Sequence, residues 1–196
     1  MFSADLDGQE MLDVKRAIKQ RAPRCAKALT QLHAAMRKLG DATESHEESS
    51  DPAVELNLFP AQTATIRNEA DGVSTSPEFP DSLIEPLEAA LEETESWLVK
   101  NQLAEFREAL LALYFRMHSF RRTAEQYDER FVTIIESSPA MKVRQFCLDP
   151  SLLLRKALVR GNAAIFFSAT LTPMDYYRTL LGVEPEDPVL QLHFRV

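Results

Sequence analysis

A single seam of apolar side chains constrains the fold of this chain more than any other feature of its sequence. The apolar positions between residues 103 and 127 are separated by alternating steps of three and four residues. This spacing places them on one face of an α-helix and is typical of helices packed antiparallel. At 1.5 Å per residue the helix spans about 37 Å, enough to be the spine of a helical domain. The seam consists of Leu103, Phe106, Leu110, Leu113, Met117, Phe120, Ala124 and Tyr127.

Three further helices are indicated before this seam. Apolar residues at helical spacing predict the first over residues 9–21. Pro23 suits the first turn of a second helix, because the missing N–H of proline costs nothing there, and Gly40 suits its C-terminal cap. Pro86 occupies the same kind of position in a third helix that runs to about Lys100. The first two thirds of the chain are therefore predicted to be mostly α.

The acidic residues are concentrated between the second and third helices. Residues 41–96 carry one Lys or Arg against 15 Asp and Glu, so the net charge of −8 arises there and the flanking segments are basic. Residues 41–51 and 71–80 lack apolar periodicity and read as loops, and residues 53–67 indicate at most a short helix that Pro60 interrupts. An acidic isoelectric point therefore does not exclude a basic surface elsewhere on the protein.

The periodicity changes after Tyr127. Residues 131–136 and 143–148 are rich in β-branched and apolar side chains, which predicts two strands separated by a Ser-Ser-Pro turn. A helix over residues 150–160 is expected next, followed by a buried strand that starts near residue 163. Strand, helix and strand in this order favour a βαβ-like piece of parallel sheet. We therefore expect a helical domain over residues 1–127 and a partial α/β segment over residues 128–196.

The predicted last strand ends in small hydroxyl side chains. Ile165, Phe166 and Phe167 form a continuous apolar run that leads into Ser168 and Thr170. Hydroxyl groups at the carboxyl end of a strand can form hydrogen bonds with phosphates, carboxylates or a neighbouring loop. The alternative is that the same residues cap the N-terminus of the helix that comes next.

Residues 168–177 read Ser-Ala-Thr-Leu-Thr-Pro-Met-Asp-Tyr-Tyr, with Leu-Leu-Gly at residues 180–182. This segment resembles motif III of the XPD/DinG-like superfamily 2 DNA helicases. Residues 146–151, Phe-Cys-Leu-Asp-Pro-Ser, and the Leu-rich helix after them resemble the approach to that motif, and residues 1–6 resemble the segment after the DEAH box in bacterial members. The opening and the last third of the chain carry the resemblance.

The resemblance implies a place within a helicase as well as a function. Residues 1–127 would be the helical Arch insertion, which helps to guide single-stranded DNA, and residues 128–196 an edge of the first RecA-like domain. Ser168, Ala169 and Thr170 would couple ATP hydrolysis to unwinding, with translocation from 5′ to 3′ and a role in DNA repair. Such helicases bind ATP, Mg²⁺ and an iron–sulfur cluster.

The chain lacks the motifs that would hold these groups. It has no G-x-x-x-x-G-K-[ST] loop and no DEAH box. Cys25 and Cys147 are isolated, and the four histidines show no metal-ligand spacing, so no metal or cofactor site is expected in this chain. We expect ATP, Mg²⁺ and the cluster to bind elsewhere in a parent protein, and this segment alone to be inactive.

Five cationic residues are candidates for contact with the DNA backbone. They flank the seam or the predicted strands, and backbone phosphates attract such charges without base readout. The alternative is that they are solvated or paired with the acidic residues Glu105, Glu108, Glu125 and Asp128. The candidates are Arg116, Arg121, Arg122, Lys142 and Arg144.

The remaining expectations concern location and partners. No apolar run approaches the roughly 20 residues that span a bilayer, and no signal segment opens the chain, so we expect a cytoplasmic protein without membrane partners. Single-stranded DNA is the expected partner of the parent helicase, and the isolated segment is expected to self-associate through exposed sheet edges. The alternative function is a non-catalytic helical module for protein interaction.

Overall fold

In the part of the chain that the structure describes, six α-helices and five strands form two compact units, residues 3–146 and residues 147–196. The computed structural model describes residues 2–44, 66–68, 72–101, 104–137, 140–168 and 170–192. The helices are α1 (Gly8–Ile18), α2 (Pro23–Glu44), α3 (Ile84–Lys100), α4 (Arg107–Ala124), α5 (Ser151–Leu158) and α6 (Met174–Leu180). The strands are β1 (Ala4–Asp7), β2 (Ile66–Asn68), β3 (Val73–Ser76), β4 (Phe131–Glu136) and β5 (Lys142–Cys147).

The predicted seam is confirmed over residues 110–120, but the helix is shorter than expected, because α4 runs from Arg107 to Ala124 and Tyr127 lies beyond its end. Leu110, Leu113, Met117 and Phe120 are each at most 1% exposed and belong to the core that α1, α2 and α3 complete. Burying each of these side chains contributes roughly 1.5–3 kcal/mol before conformational entropy is counted. Leu103 lies outside the described residues. The helix ends at Ala124, and the ring of Tyr127 stacks on Phe131 at a centroid distance of 5.4 Å.

One sheet gathers all five strands in the order β1-β5-β4-β3-β2. The β1–β5, β2–β3 and β3–β4 pairs are antiparallel, with Leu6 opposite Val143 and Ser74 opposite Ile135. The two strands predicted after Tyr127 are confirmed to within one residue at each end. A mostly α fold with a partial sheet is thus the observed class.

The parallel βαβ arrangement predicted for the last third is wrong. Strands β4 and β5 pair antiparallel with β3 and β1, and residues 163–168 form no strand. Ile165 is 88% exposed and Phe167 is 90% exposed, so this apolar run is not a buried strand. The physical reason is that a ladder needs a neighbour, and no strand in the described part of the chain lies alongside these residues.

The boundary between the compact units differs from the predicted boundary after residue 127. Strand β4 pairs with β3, and β5 pairs with β1, so both strands belong to the sheet of the first unit. The unit boundary lies after residue 146 for this reason. Sheet pairing, which joins residues far apart in sequence, determines this boundary.

Two local expectations also change. Helix α2 continues through Gly40 instead of ending there, and a Cβ at this position would overlap Met141 Cε, so the glycine permits close packing. Residues 73–76 form β3 within the segment 71–80, for which the sequence predicts a loop. Their β-branched and hydroxyl side chains are compatible with a strand once β2 and β4 lie on either side.

Two expectations for the acidic region fall largely outside the described residues. Residues 45–51 of the expected loop and residues 53–65 of the expected short helix are not described, while residues 41–44 are helical and residues 66–68 form β2. Of the helices in the described segments, none has the length and apolar character needed to cross a membrane.

Candidate functional site

The hydroxyl groups of Ser168 and Thr170 contact each other in an exposed turn. Ser168 Oγ lies 3.1 Å from Thr170 Oγ1 and also accepts a hydrogen bond of 3.2 Å from the Thr170 backbone N–H. The Thr172 N–H donates to the Thr170 carbonyl oxygen at 2.8 Å, which closes the turn. Ala169 lies outside the described residues. The turn therefore presents two oriented hydroxyl groups to solvent.

These hydroxyl groups do not cap the next helix. Helix α6 begins at Met174, and its N-terminal flanking residue is Pro173, which provides no side-chain hydrogen bond to the helix. The helix-cap alternative for Ser168 and Thr170 is therefore wrong. The pair as a whole keeps unused donor and acceptor capacity, because each hydroxyl has one proton and two lone pairs and the bond between them uses one proton and one lone pair.

Arg155 connects α5 to the segment after α6. Its Nη1 donates to the Gly182 carbonyl oxygen at 2.9 Å and to Asp187 Oδ2 at 2.5 Å, while its Nη2 donates to Glu184 Oε2 at 2.8 Å. The hydrogen bond from Arg155 holds the pKa of the Asp187 carboxyl below its usual value, and the Glu184 backbone N–H adds to this effect. Arg155 therefore positions the chain after α6 against α5 within this small unit.

Sequence reasoning did not identify Arg155. The available signal was the pair of acidic residues at positions 184 and 187 after Gly182, opposite the one arginine near the middle of α5. Their contact depends on how α5 and α6 pack, which no local pattern shows. Gly182 has φ +70°, and a Cβ at this position would overlap the Ser151 carbonyl oxygen, so the close approach of these helices also depends on glycine.

Two of the cationic candidates on α4 are paired with carboxylates. Arg116 Nη1 lies 3.1 Å from Glu10 Oε2, and Arg121 Nη2 lies 3.0 Å from Glu125 Oε1. Only the second of these pairs matches the acidic partners expected from the sequence. Arg116 also lines a surface pocket together with Asp7, Glu10 and Asp13, and this acidic surrounding disfavours a phosphate.

The two candidates on β5 are also paired with carboxylates, whereas Arg122 has no such partner in the described part of the chain. Lys142 Nζ lies 3.1 Å from Asp5 Oδ2, and Arg144 Nη2 lies 3.4 Å from Glu136 Oε1. Arg122 is exposed and makes no ion pair with any described residue. An exposed guanidinium without a carboxylate partner binds a phosphate at a smaller free-energy cost than one whose ion pair must first be broken. Arg122 is therefore the strongest backbone-contact candidate among the five.

The cysteines of this chain do not fit an iron–sulfur site. A cubane cluster takes four thiolates, and the chain has two cysteines. The Cys25 thiol donates to the Glu93 carbonyl oxygen at 3.1 Å, and burial raises the pKa of this thiol, which favours the protonated form. Among the described residues, no group of three or more His, Cys, Asp or Glu could hold a metal ion.

No family model and no curated protein matches this chain. Its function is therefore inferred from the geometry of its own residues and from the motif that residues 168–177 resemble. The geometry contributes two results: an accessible hydroxyl pair in the 168–172 turn, and an arginine at the end of α4 that has no ion-pair partner among the described residues.

Proposed function

We propose that this chain is a segment of an ATP-dependent, XPD/DinG-like DNA helicase. In this proposal the first unit guides single-stranded DNA, and the 168–172 turn couples ATP hydrolysis to strand movement. The observation that carries the proposal is the exposed hydroxyl pair of Ser168 and Thr170 within a sequence that resembles motif III. The proposal extends to 5′ to 3′ translocation, an iron–sulfur parent and a role in DNA repair in the cytoplasm.

The hydroxyl pair has the properties that a coupling contact requires. Short hydroxyl side chains can exchange one hydrogen-bond partner for another without changing charge, and each can both donate and accept. The Ser168 hydroxyl is already oriented by the Thr170 N–H, so little conformational entropy is lost when a partner binds. A nucleophilic role is not supported, because the sequence around Ser168 lacks the G-x-S-x-G turn of hydrolases.

The apolar segment that leads into the turn supports a contact with further protein. Ile165 and Phe167 are almost fully exposed, and Phe166 is 48% exposed. Adjacent exposed apolar side chains of this size mark interaction surfaces more often than ordinary solvent-facing positions. In the proposed parent, strands of the RecA-like sheet would cover this segment and bring the turn to the catalytic region. In the isolated chain, the same exposure favours self-association.

The first unit contributes to the proposal through its helices and through Arg122. Contacts with backbone phosphates need positive charge, and Arg122 stands on the last turn of α4 without an ion-pair partner among the described residues. The other four cationic candidates would need to release a carboxylate first. Of these five residues, Arg122 is therefore proposed to contribute most to the contact with single-stranded DNA.

The proposal is tested in the complete polypeptide that the gene encodes. The double variant Ser168→Ala with Thr170→Ala should retain DNA-stimulated ATP hydrolysis and lose strand displacement on a forked duplex, because hydrolysis is no longer transmitted through the turn. Thr179→Val is the matched control, since this exposed hydroxyl on α6 donates within its own helix, to the Asp175 carbonyl oxygen. Normal strand displacement by the double variant would remove the coupling role. A complete polypeptide without a Walker A loop would remove the helicase proposal.

A further inference from the structure

A pocket of about 290 Å³ lies where α1, α2 and the described residues of the β4–β5 turn, 137, 140 and 141, meet. Helix α2 contributes His33, Arg37 and Asp41 to its wall, and the turn contributes Ser137 and Met141. His33, Arg37 and Asp41 are spaced by four residues, so they lie along one face of the helix. The volume is sufficient for a small polyatomic ion with part of the molecule that carries it.

Gly8 keeps the pocket open at the start of α1. Its N–H donates to the Met141 carbonyl oxygen at 2.8 Å, which fixes the β4–β5 turn against the helix. A Cβ at this position would come within 2.7 Å of the same oxygen and 3.3 Å of the His33 ring. Any larger residue would therefore displace the turn and press on the imidazole. The glycine makes the His33 side of the pocket accessible.

Three polar side chains of the pocket have no partner among the described residues. The Arg37 guanidinium, the His33 ring and the Ser137 hydroxyl form neither a hydrogen bond nor an ion pair there, although all three line the same cavity. Together they offer a forked donor, a ring nitrogen that can be protonated and a hydroxyl. This is the donor set that proteins use for tetrahedral oxyanions.

The charges around His33 favour an anion. Burial lowers the pKa of His33, and the positive charges of Lys15 on α1 and Arg37 on α2 lower it further. Asp41 is the one carboxylate among the described lining residues, and the described lining residues of the β4–β5 turn carry no charge. A bound anion would offset Lys15 and Arg37 and let His33 take up a proton, which adds a second charge-assisted hydrogen bond.

We infer that this pocket binds a phosphate group through Arg37, His33 and Ser137. The phosphate belongs either to a free phosphate-bearing molecule or to a DNA strand, and the chemistry of recognition is the same in both cases. The inference stands on the pocket itself and does not depend on the helicase proposal.

Sulfate is the probe for the first measurement, because it has the shape and charge of a phosphate dianion but does not titrate between about pH 5 and pH 8, where histidine does. The 196-residue chain is titrated with sulfate at low ionic strength, and the His33 ring and Gly8 amide resonances are followed by NMR. Saturable shifts at both positions, a raised His33 pKa and tighter binding at lower pH are expected.

Arg37→Gln is the main variant, because the side chain is exposed and its loss removes no contact among the described residues. It should weaken sulfate binding about tenfold, as expected for one charge-assisted hydrogen bond. Arg24→Gln is the matched control on the same helix, about 20 Å further along its axis at 1.5 Å per residue, and should bind sulfate normally. Ser137→Ala is a second variant with a smaller expected loss.

Competition separates the two sources of the phosphate. Displacement of sulfate by unlabelled oligothymidine assigns the pocket to a DNA strand, while displacement by inorganic phosphate alone assigns it to a free phosphate-bearing ligand. Either result supports the pocket, and the second does so even if the helicase proposal fails. The absence of saturable sulfate binding, or equal affinity in the wild type and Arg37→Gln, would overturn the inference.

Discussion

Gly182→Ala is expected to destabilise the second unit strongly. Gly182 has φ +70°, a conformation that costs a residue with a Cβ about 1–2 kcal/mol. The added Cβ would also overlap the Ser151 carbonyl oxygen and lie 3.0 Å from Arg155 Cβ. Since the oxygen belongs to the backbone of α5, relief requires the helix to move, and overpacking of this kind costs about 1–3 kcal/mol. The two terms together give a loss of roughly 2–5 kcal/mol.

Gly161→Ala is the matched control in the same unit. A Cβ there meets its nearest atoms at 3.6 Å, an ordinary van der Waals distance, and its φ is not in the left-handed region. The free energy of unfolding of the Gly161→Ala variant should therefore stay within about 0.5 kcal/mol of the wild-type value or rise slightly, because alanine also restricts the conformations of the unfolded chain. The two variants add the same methyl group and differ in whether the backbone leaves room for it.

Amide hydrogen exchange measures this prediction locally. A loss of about 2 kcal/mol accelerates exchange of the α5 and α6 amides about thirtyfold when opening is reversible. The amides of α2 and α4 provide the internal reference for pH and temperature. Unchanged exchange of α5 in Gly182→Ala, or equal acceleration in Gly161→Ala, would refute the reasoning from backbone geometry.

Two further predictions concern single charges. The hydrogen bond from Arg155 lowers the folded-state pKa of Asp187. The ionised Asp187 carboxylate therefore stabilises the fold above its unfolded-state pKa of about 4, and this contribution is lost as the pH falls through the folded-state pKa. Asp187→Asn should remove this part of the pH dependence of amide exchange in α5, while the control Glu186→Gln should keep it. The same pH dependence in the wild type and in Asp187→Asn would contradict the prediction. Arg122→Gln should reduce the salt dependence of single-stranded DNA binding by about 0.7 in log–log slope, one phosphate contact. Anisotropy titrations at several salt concentrations measure this slope, and Arg160→Gln is the exposed control. Equal slopes for the two variants would show that Arg122 makes no phosphate contact.

The sequence predicted the elements whose signals are local. The middle of the α4 seam, the C-terminal end of α3 and the β4 and β5 strands follow from periodicity and turn residues within each segment, and the structure confirms them. Sheet order could not be predicted in the same way, because β1 pairs with β5 about 140 residues away. The predicted strand at residues 163–168 failed for the related reason that an apolar run specifies burial only when a partner is present.

The candidate site was likewise predictable only where its residues are close together in the sequence. The hydroxyl pair of Ser168 and Thr170 was found from the sequence because both residues stand in one short motif. The Arg155 contacts and the pocket lined by Arg37 were not found from the sequence, because each is assembled from segments that meet only in the folded chain. A single histidine and a single arginine four residues apart on an amphipathic helix carry no distinctive signal until the β4–β5 turn lies against them.

The helicase proposal is tested most directly by strand displacement with the complete polypeptide encoded by the gene. We expect ATP-dependent unwinding of a forked duplex by that polypeptide, with its loss in the Ser168→Ala, Thr170→Ala double variant while ATP hydrolysis continues. The purified 196-residue chain should show no ATP turnover, because it lacks the G-x-x-x-x-G-K-[ST] loop and the DEAH box. Absence of unwinding by an active, DNA-stimulated wild-type polypeptide, or ATP turnover by the 196-residue chain, would contradict this account.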